Sequence, residues 1–280
     1  MKQRSLKKYF DKVYIINFIE GKERRKNIIK MFTDYKLIDD IEFVYGPSFY
    51  RINALAPLLK YMSRFTLLNT GSISSISCSI THYMAVKQAY ELGLEKVLIL
   101  EDDIILRDDI DLIFEYFDYL PEDWDYLYLD VCFTPAVANP EDLKLLNFSD
   151  TKWINLKDLK AGLHWDNGWG LVSSGAYALN RKGMELYLKE FESDKVINNS
   201  DMLRKFYMDI GSNSLNSYTT NKRLFAVPNE MNTLFFDNNT FKRSLHEYII
   251  SGSIETTPEN FKYQVPDSEK SIIQNLNKNE

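Results

Sequence analysis

Three consecutive carboxylates follow an apolar run in the stretch EKVLILEDDIIL, residues 95–106. Glu101, Asp102 and Asp103 repel one another when they are ionised, so their adjacency indicates a place that binds positive charge. Because side chains leave a strand in alternating directions, we expect Glu101 and Asp103 on one side and Asp102 on the other. Such a carboxylate pair suits a hard dication, Mg²⁺ or Mn²⁺, which usually also takes phosphate oxygens from a ligand. The pattern therefore predicts a metal that binds a nucleotide diphosphate.

The same acids have a simpler interpretation, as a solvated turn between a strand and a helix. In that case Asp108 and Asp109 cap the helix that follows. Two other acid-dependent folds fit less well. The run lies too deep in the chain for a haloacid-dehalogenase-type phosphatase and lacks the small polar partner of such a site. Asp130 would be the phosphorylated residue of a response-regulator receiver, but the acids begin only at residue 101, too late for the first strand of such a domain.

The composition is that of a globular protein with a sizeable core, and it excludes one class of partners. The chain has 280 residues, of which 45% are hydrophobic and 26% are charged. Its 34 Lys and Arg against 40 Asp and Glu give a formal net charge of −6. This argues against nucleic-acid binding, which depends on excess positive charge. Two cysteines, Cys78 and Cys132, are too few for a disulfide framework, and each is expected to behave as a small hydrophobe.

The distribution of polar segments predicts one domain with two extensions. Residues 1–11 form a basic tail, residues 12–250 the domain, and residues 251–280 a C-terminal arm rich in Pro, Ser, Asn and charge. The N-terminus lacks a signal-peptide pattern, and no stretch approaches the roughly 20 apolar residues of a membrane helix, so we expect a cytoplasmic protein. Basic residues of the tail would allow peripheral contact with an anionic membrane surface; they are Lys2, Arg4, Lys7 and Lys8.

Strand-like and helix-like segments alternate along the first half of the chain. Short apolar runs predict strands at 13–18, 41–46, 96–100, 125–131, 176–179 and 223–228. Helical spacing predicts helices at 21–35, 79–93, 108–120, from 181 onward and at 200–209. In the second helix, Ser79 or Thr81 is the expected N-cap and Gly93 the left-handed C-terminal residue. This order predicts an α/β fold with a mainly parallel central sheet, whose ligand crevice lies at the carboxyl ends of the strands, where the acids are.

Four blocks, in this order, resemble those of glycosyltransferase family 25, which includes lipooligosaccharide and collagen galactosyltransferases. VYIINFIEGKERRKNI resembles its opening strand, Ile-Asn and Arg-rich helix start. SSISCSITHYMAVKQA resembles its Gly-Cys-x-x-Ser-His block, and VLILEDDI its apolar strand ending in Glu-Asp-Asp. SSGAYALNRKGMELYL, followed by SDMLRKF, resembles its Gly-x-x-Tyr block and downstream Asp. Each block is unspecific alone, and the resemblance depends on their order.

The resemblance implies a GT-A-type fold, a single Rossmann-like domain that binds a nucleotide sugar. It implies transfer of a hexose, most simply galactose or glucose, from a UDP-sugar to an acceptor hydroxyl with inversion. The acceptor would be a glycan, a glycolipid or a hydroxylysine-type protein. The metal motif of the family falls on residues 101–103, with Asp103 as the main ligand of Mn²⁺ or Mg²⁺ and Glu101 facing the metal or the nucleotide.

The family match also assigns roles to other polar residues. Asp201 becomes the general base. Capping of a helix that opens at Ser200 and Asp201 explains the same residue equally well. Asp166 is the reserve candidate for the base. His82 becomes a second catalytic candidate. Asn17 is expected at the uracil or ribose. The remaining nucleotide-binding candidates are Arg24, Arg25, Glu101 and Asp102.

Trp165 and Trp169, which flank glycines, fit stacking on a sugar face or packing in the core. Ser75 and Ser77 replace family glycines, Thr81 replaces a Ser, and Asp130 replaces a Gly. The serine-for-glycine changes leave open a non-catalytic sugar- or nucleotide-binding relative. A metal-dependent phosphohydrolase is a second open class.

Overall fold

The computed structural model describes residues 4–46, 73–129, 132–133, 151–158, 171–172, 175–193, 215–222 and 224–226. The helices in these residues are α1 (Lys22–Asp34), α2 (Ile73–Glu91), α3 (Ile110–Phe117) and α4 (Arg181–Glu192). The strands are β1 (Lys12–Phe18), β2 (Ile41–Gly46), β3 (Lys96–Glu101), β4 (Ile105–Leu106), β5 (Tyr126–Tyr128), β6 (Cys132–Phe133), β7 (Trp153–Asn155), β8 (Leu171–Val172), β9 (Ala176–Asn180), β10 (Ser217–Thr220) and β11 (Phe225–Ala226).

A seven-stranded sheet with the order β2-β1-β3-β9-β5-β10-β7 forms the centre of the protein. β1 runs parallel to both β2 and β3, and β5 runs parallel to β10. β9 is antiparallel to its neighbours β3 and β5, and β7 is antiparallel to β10. Five strands therefore share one direction, which confirms the predicted α/β fold with a mainly parallel sheet.

Helices cover the sheet on both faces, and each face has its own apolar core. Along β1, Tyr14 and Ile16 belong to one core, while Val13 and Ile15 belong to the other. The first core also contains the buried residues of α2 and α4, and the second contains those of α1 and α3. Burial on both faces explains why the central strands read as continuous apolar runs.

The segment before β1 is part of the domain, so the prediction of a separate tail at residues 1–11 was wrong for its described part. Leu6 and Phe10 are buried in the second core. The reason for the error is that charge dominates this segment and its two apolar anchors are isolated in the sequence. Its basic side chains contact acids of the domain, with Arg4 at Asp111 and Lys8 at Asp118.

The start of α2 also differs from the prediction. The helix begins at Ile73, which places Ser79 and Thr81 in its interior. The Thr81 hydroxyl does not cap the helix; it donates to the Ser77 carbonyl one turn back, at 2.7 Å. Gly93 has φ 73°, as predicted for the residue that ends this helix.

Two further predictions concern the segment after the acids and the chain beyond α4. Asp109 stands at the N-cap of α3, but its carboxylate accepts from Arg107 instead of capping the helix. The predicted helix at 200–209 and the arm at 251–280 lie outside the described residues. Among the helices that are described, none is long and apolar enough to cross a membrane.

Gly46, the last residue of β2, lies against α2 and fixes the distance between that helix and the sheet. A Cβ at this position would overlap the Thr81 side chain, at 2.9 Å from its Cβ. We expect Gly46→Ala to lower the free energy of unfolding by about 2 kcal/mol, as for other overpacked sites. In a Thr81→Ala background the cost should fall by at least half, because most of the overlapping atoms are gone. Denaturant unfolding of the four proteins measures both values, and strictly additive losses would contradict the predicted overlap.

Candidate active site at the carboxyl edge of the sheet

Parallel pairing of β1 and β3 brings polar residues together where both strands end. Ile16 of β1 is in register with Glu101 of β3, so the next residue, Asn17, lies beside the acids. The Asn17 side-chain amide donates to the Asp102 carboxylate and, at 3.3 Å, to the Gly21 carbonyl. Asn17 is 2% exposed. This buried contact ties the turn between β1 and α1 to the acidic run.

Arg24, in the first turn of α1, lies at the acidic pair. Its Nη1 is 3.0 Å from Oδ1 of Asp102 and 3.3 Å from Oδ2 of Asp103. The side chains of both acids are at least nine-tenths buried, and that of Arg24 is 16% exposed. The charge-assisted contacts are therefore shielded from water, and such contacts are stronger in this buried setting than at the surface.

The predicted alternation of the three acids was wrong. Asp102 and Asp103 converge on the same guanidinium nitrogen, whereas the Glu101 carboxylate contacts His82. The reason is that β3 ends at Glu101 and residues 102–103 form a turn, so the alternation of a strand does not apply to Asp102 and Asp103. Asp102 and Asp103 therefore form a pair, and Glu101 belongs to a second group.

Arg25 orients Asn17 from the opposite side. Its Nη1 donates to the Asn17 side-chain oxygen at 2.9 Å, and its guanidinium carbon lies 5.4 Å from the centre of the Tyr45 ring. With its oxygen at Arg25 and its amide at Asp102, Asn17 links the two. The structure thus brings together all the residues expected at the nucleotide; they are Asn17, Arg24, Arg25, Glu101 and Asp102.

His82 occupies the centre of the second group. Its Nε2 lies 3.1 Å from Oε1 of Glu101, and its Nδ1 lies 3.0 Å from the Tyr177 hydroxyl. The imidazole is fully buried, while the Glu101 side chain keeps 18% of its exposure. Since the Glu101 carboxylate accepts, Nε2 is the donor of this pair, and a neutral ring would then accept the Tyr177 proton at Nδ1. His82 and Glu101 thus form a hydrogen-bonded dyad at the rim of the sheet.

Tyr177 was missed as a site residue, although it stands in the SSGAYALN block. It belongs to β9, whose preceding residue Gly175 accepts the Glu101 backbone N–H at 2.7 Å. Because β9 is antiparallel to β3, its beginning lies at the same edge as the end of β3. The sequence signal was present, namely a tyrosine hydroxyl in a buried strand that needs a partner.

Cys78 also belongs to this group. It precedes His82 by one helical turn, on the same side of α2, and its Sγ and the nearest ligand atoms of His82 and Glu101 all lie within 4.8 Å of one another. The thiol packs against the first core as expected for a small hydrophobe, yet it also faces two polar groups. Five sequence candidates lie outside the described residues; they are Asp130, Trp165, Asp166, Trp169 and Asp201.

The acidic pair fits a hard dication. The guanidinium of Arg24 acts as a stand-in cation, since carboxylate oxygens of Asp102 and Asp103 point at one of its nitrogen atoms. Two carboxylates that converge on one point are the donor set that Mg²⁺ and Mn²⁺ prefer, with the remaining positions left to water or phosphate.

A comparison with known families decides the assignment of this edge. The profile of Glycosyltransferase family 25 (LPS biosynthesis protein) matches residues 10–203. The chain belongs to this family. The match spans β1, the Cys78–His82 turn of α2, the acids and β9 in their order. As a family 25 member the chain is a glycosyltransferase, an enzyme that moves a sugar from a donor to a glycan acceptor.

Among solved structures, glycosyltransferases are similar to the chain at low identity and low TM-score. The galactosyltransferase LgtC, in complex with donor and acceptor sugar analogs, is 13% identical, with a TM-score of 0.40 over 89% of this chain and 98% of that one. Mouse xyloside xylosyltransferase 1, in its apo form, is 11% identical, with a TM-score of 0.32 over 70% and 69% of the two chains. No curated protein sequence matches the chain.

The Arg24 contacts lead to a stability prediction for the family 25 site. Removing one partner of a buried ion pair leaves charge without compensation, so we expect Arg24→Ala to lower the free energy of unfolding by about 3 kcal/mol. Lys30→Ala is the matched control, because Lys30 lies on the same helix in an exposed pair with Asp34. Its loss should stay within about 0.5 kcal/mol. Denaturant unfolding compares the two.

An Asp103→Asn background supplies the cross-check for this prediction. With one carboxylate neutralised, the cost of Arg24→Ala should shrink, since less negative charge then depends on the guanidinium. Equal small losses for Arg24→Ala and Lys30→Ala would show that the acidic pair does not depend on Arg24.

Proposed function

We propose that this glycosyltransferase moves a hexose, galactose or glucose, from a UDP-sugar to an acceptor hydroxyl with inversion at the anomeric carbon. The observation that carries the proposal is the convergence of Asp102 and Asp103 on one cation at the carboxyl edge of the sheet. Ligands of α/β sheets bind at this edge, and a nucleotide diphosphate needs a concentrated positive charge there. The acceptor hydroxyl belongs to a glycan, a glycolipid or a hydroxylysine-type protein.

Asp103 would hold Mn²⁺ or Mg²⁺, with Asp102 as its partner in place of Glu101. Such an ion, when bound, neutralises charge on the diphosphate leaving group. Asn17 keeps Asp102 in position through its amide, so the pair is fixed before any ligand arrives. The third carboxylate, Glu101, is hydrogen-bonded to His82 and lies next to the acidic pair in the chain.

Arg24 and Arg25 are the protein groups that would meet the diphosphate. The planar guanidinium forms paired hydrogen bonds to phosphate as readily as to carboxylate. With a dication held by the carboxylates of Asp102 and Asp103, the Arg24 guanidinium would be available to bind the phosphate. Arg25 would stay at Asn17, near the ribose or uracil.

Inverting transfer is a single displacement, in which the acceptor oxygen attacks the anomeric carbon and UDP leaves on the opposite side. A general base must take the hydroxyl proton. We assign this role to Asp201, with Asp166 in reserve. His82 holds a proton between its Nε2 and Glu101, and we assign to it the orientation of that carboxylate toward the donor.

The first test measures thermal unfolding with UDP, Mn²⁺, both, and both with a chelator. We expect UDP to stabilise the wild type only when metal is present, by about 2.7 kcal/mol at a hundredfold excess over the dissociation constant. Asp103→Ala should lose this response. Asp111→Asn is the matched control, since Asp111 is an exposed acid of α3 and should keep it. Equal stabilisation of wild type and Asp103→Ala by UDP in chelator would refute the metal site.

The same samples separate the functional classes through product formation. A hexosyltransferase releases UDP from UDP-galactose or UDP-glucose, slowly with water and faster with an acceptor. Stabilisation without turnover would identify a non-catalytic binder, and release of inorganic phosphate from simple esters a phosphohydrolase.

A second test concerns the general base. We expect Asp201→Asn to lower kcat by about 10²-fold or more, because a general base contributes a factor of this size. The metal-dependent stabilisation by UDP should persist, since the base meets the acceptor side of the reaction. Asp166→Asn, assayed in parallel, should keep most of its turnover. Full turnover in Asp201→Asn together with its loss in Asp166→Asn would move the role to Asp166.

A further inference from the structure

We propose that Cys78, His82 and Glu101 form a second metal site, which binds a thiophilic dication of the Zn²⁺ type. The site is separate from the hard-cation pair, Asp102 and Asp103, although the two are adjacent in the chain. The proposal depends only on described side chains and not on the identity of the sugar donor.

The three ligand atoms are already gathered. Cys78 and His82 lie on the same side of α2, four residues apart, and Glu101 reaches them from the end of β3. Their ligand atoms lie within 4.8 Å of one another, and Nε2 of His82 is 3.1 Å from Oε1 of Glu101. In tetrahedral zinc sites, bond lengths of 2.0 to 2.3 Å put ligand atoms about 3.3 to 3.8 Å apart. An ion therefore needs only a small change in side-chain torsions to bind all three.

The ligand types select the ion. A thiolate, an imidazole and a carboxylate form a mixed sulfur, nitrogen and oxygen set, which binds Zn²⁺ and Co²⁺ in preference to Mg²⁺. Asp102 and Asp103 offer oxygen alone, which favours Mg²⁺ and Mn²⁺. The two neighbouring sites would thus discriminate between ions by ligand chemistry.

Tyr177 completes the arrangement around the imidazole. A metal-bound histidine donates its other N–H to a nearby acceptor, which fixes the tautomer. The Tyr177 hydroxyl stands 3.0 Å from Nδ1 and would take that role. On binding, the ring proton moves from Nε2 to Nδ1, and the Cys78 thiol releases its proton to solvent. Tyr177 is thus a positioning residue for the site.

Three protein ligands leave a fourth position for water or a ligand oxygen. The His82 side chain is fully buried and the Glu101 side chain is 18% exposed, so the ion would enter from the Glu101 side. Because the ion would engage both His82 and Glu101, zinc binding and any proton held between these two groups exclude each other.

Titration of the purified full chain with Co²⁺ tests the site, because bound thiolate gives cobalt a charge-transfer absorption that oxygen ligands do not. We expect the band to saturate at about one Co²⁺ per chain and to be abolished by Zn²⁺. Cys78→Ser should lose it. Cys132→Ser and Asp103→Asn are the matched controls and should keep it. Tyr177→Phe should keep the band with at least tenfold weaker affinity.

Thermal unfolding in chelator shows whether each variant is folded, so that a lost band reports on ligation. A missing band in folded wild type would overturn the proposal, and so would a band that survives Cys78→Ser or disappears in Cys132→Ser. The response to UDP with Mn²⁺ is measured separately through Asp103, so failure of the zinc site and failure of the proposed transferase activity are distinguishable.

Discussion

Three adjacent carboxylates at the end of β3 are the constraint around which this edge of the protein is organised. Buried carboxylates must be compensated by donors, and here the donors come from elements on both faces of the sheet. Arg24 of α1 donates to Asp102 and Asp103, while His82 of α2 is hydrogen-bonded to Glu101. Since α1 and α2 pack on opposite faces, the acids connect two helices that otherwise share no core.

The antiparallel strand β9 matters for the same reason. A ligand edge in a parallel sheet is normally built from strand ends and the loops that follow them. β9 adds the beginning of a strand to that edge, and with it the Gly175 carbonyl and the Tyr177 hydroxyl. The SSGAY stretch therefore belongs to the site because of strand direction, and this direction also explains why a block so distant in sequence lies next to the acids.

The sequence predicted the elements and the place of the site better than its internal contacts. Apolar runs and helical spacing located β1, β2, β3 and α4 closely, because these patterns are local. The predicted side of Asp102 was wrong because strand alternation does not extend into the turn at residues 102–103. The start of α2 was wrong because Ser79 and Thr81 look like caps, whereas the Thr81 hydroxyl bonds one turn back inside the helix.

Other features depend on pairs that are far apart in the chain. His82 and Tyr177 are 95 residues apart, and Asn17 and Asp102 are 85 residues apart. Periodicity carries no information about such partners. The order of the family's sequence blocks identified Asn17, Arg24 and His82 as candidates. Only the fold shows that Asn17 and Arg24 contact the acidic pair and that His82 contacts Glu101.

The balance of charge at the edge bears on why a metal would be needed at all. The described edge holds three carboxylates, of which Asp102 and Asp103 contact Arg24 and Glu101 contacts His82. The site therefore has no surplus of positive charge for a diphosphate. Arg24 cannot compensate two buried acids and a phosphate at once, since the planar guanidinium offers one set of in-plane donors. A donor that draws Arg24 away would leave Asp102 and Asp103 as adjacent anions without its positive charge, which is costly in a buried setting. A dication held by Asp102 and Asp103 would remove that cost, so metal and donor would depend on each other in the proposed mechanism.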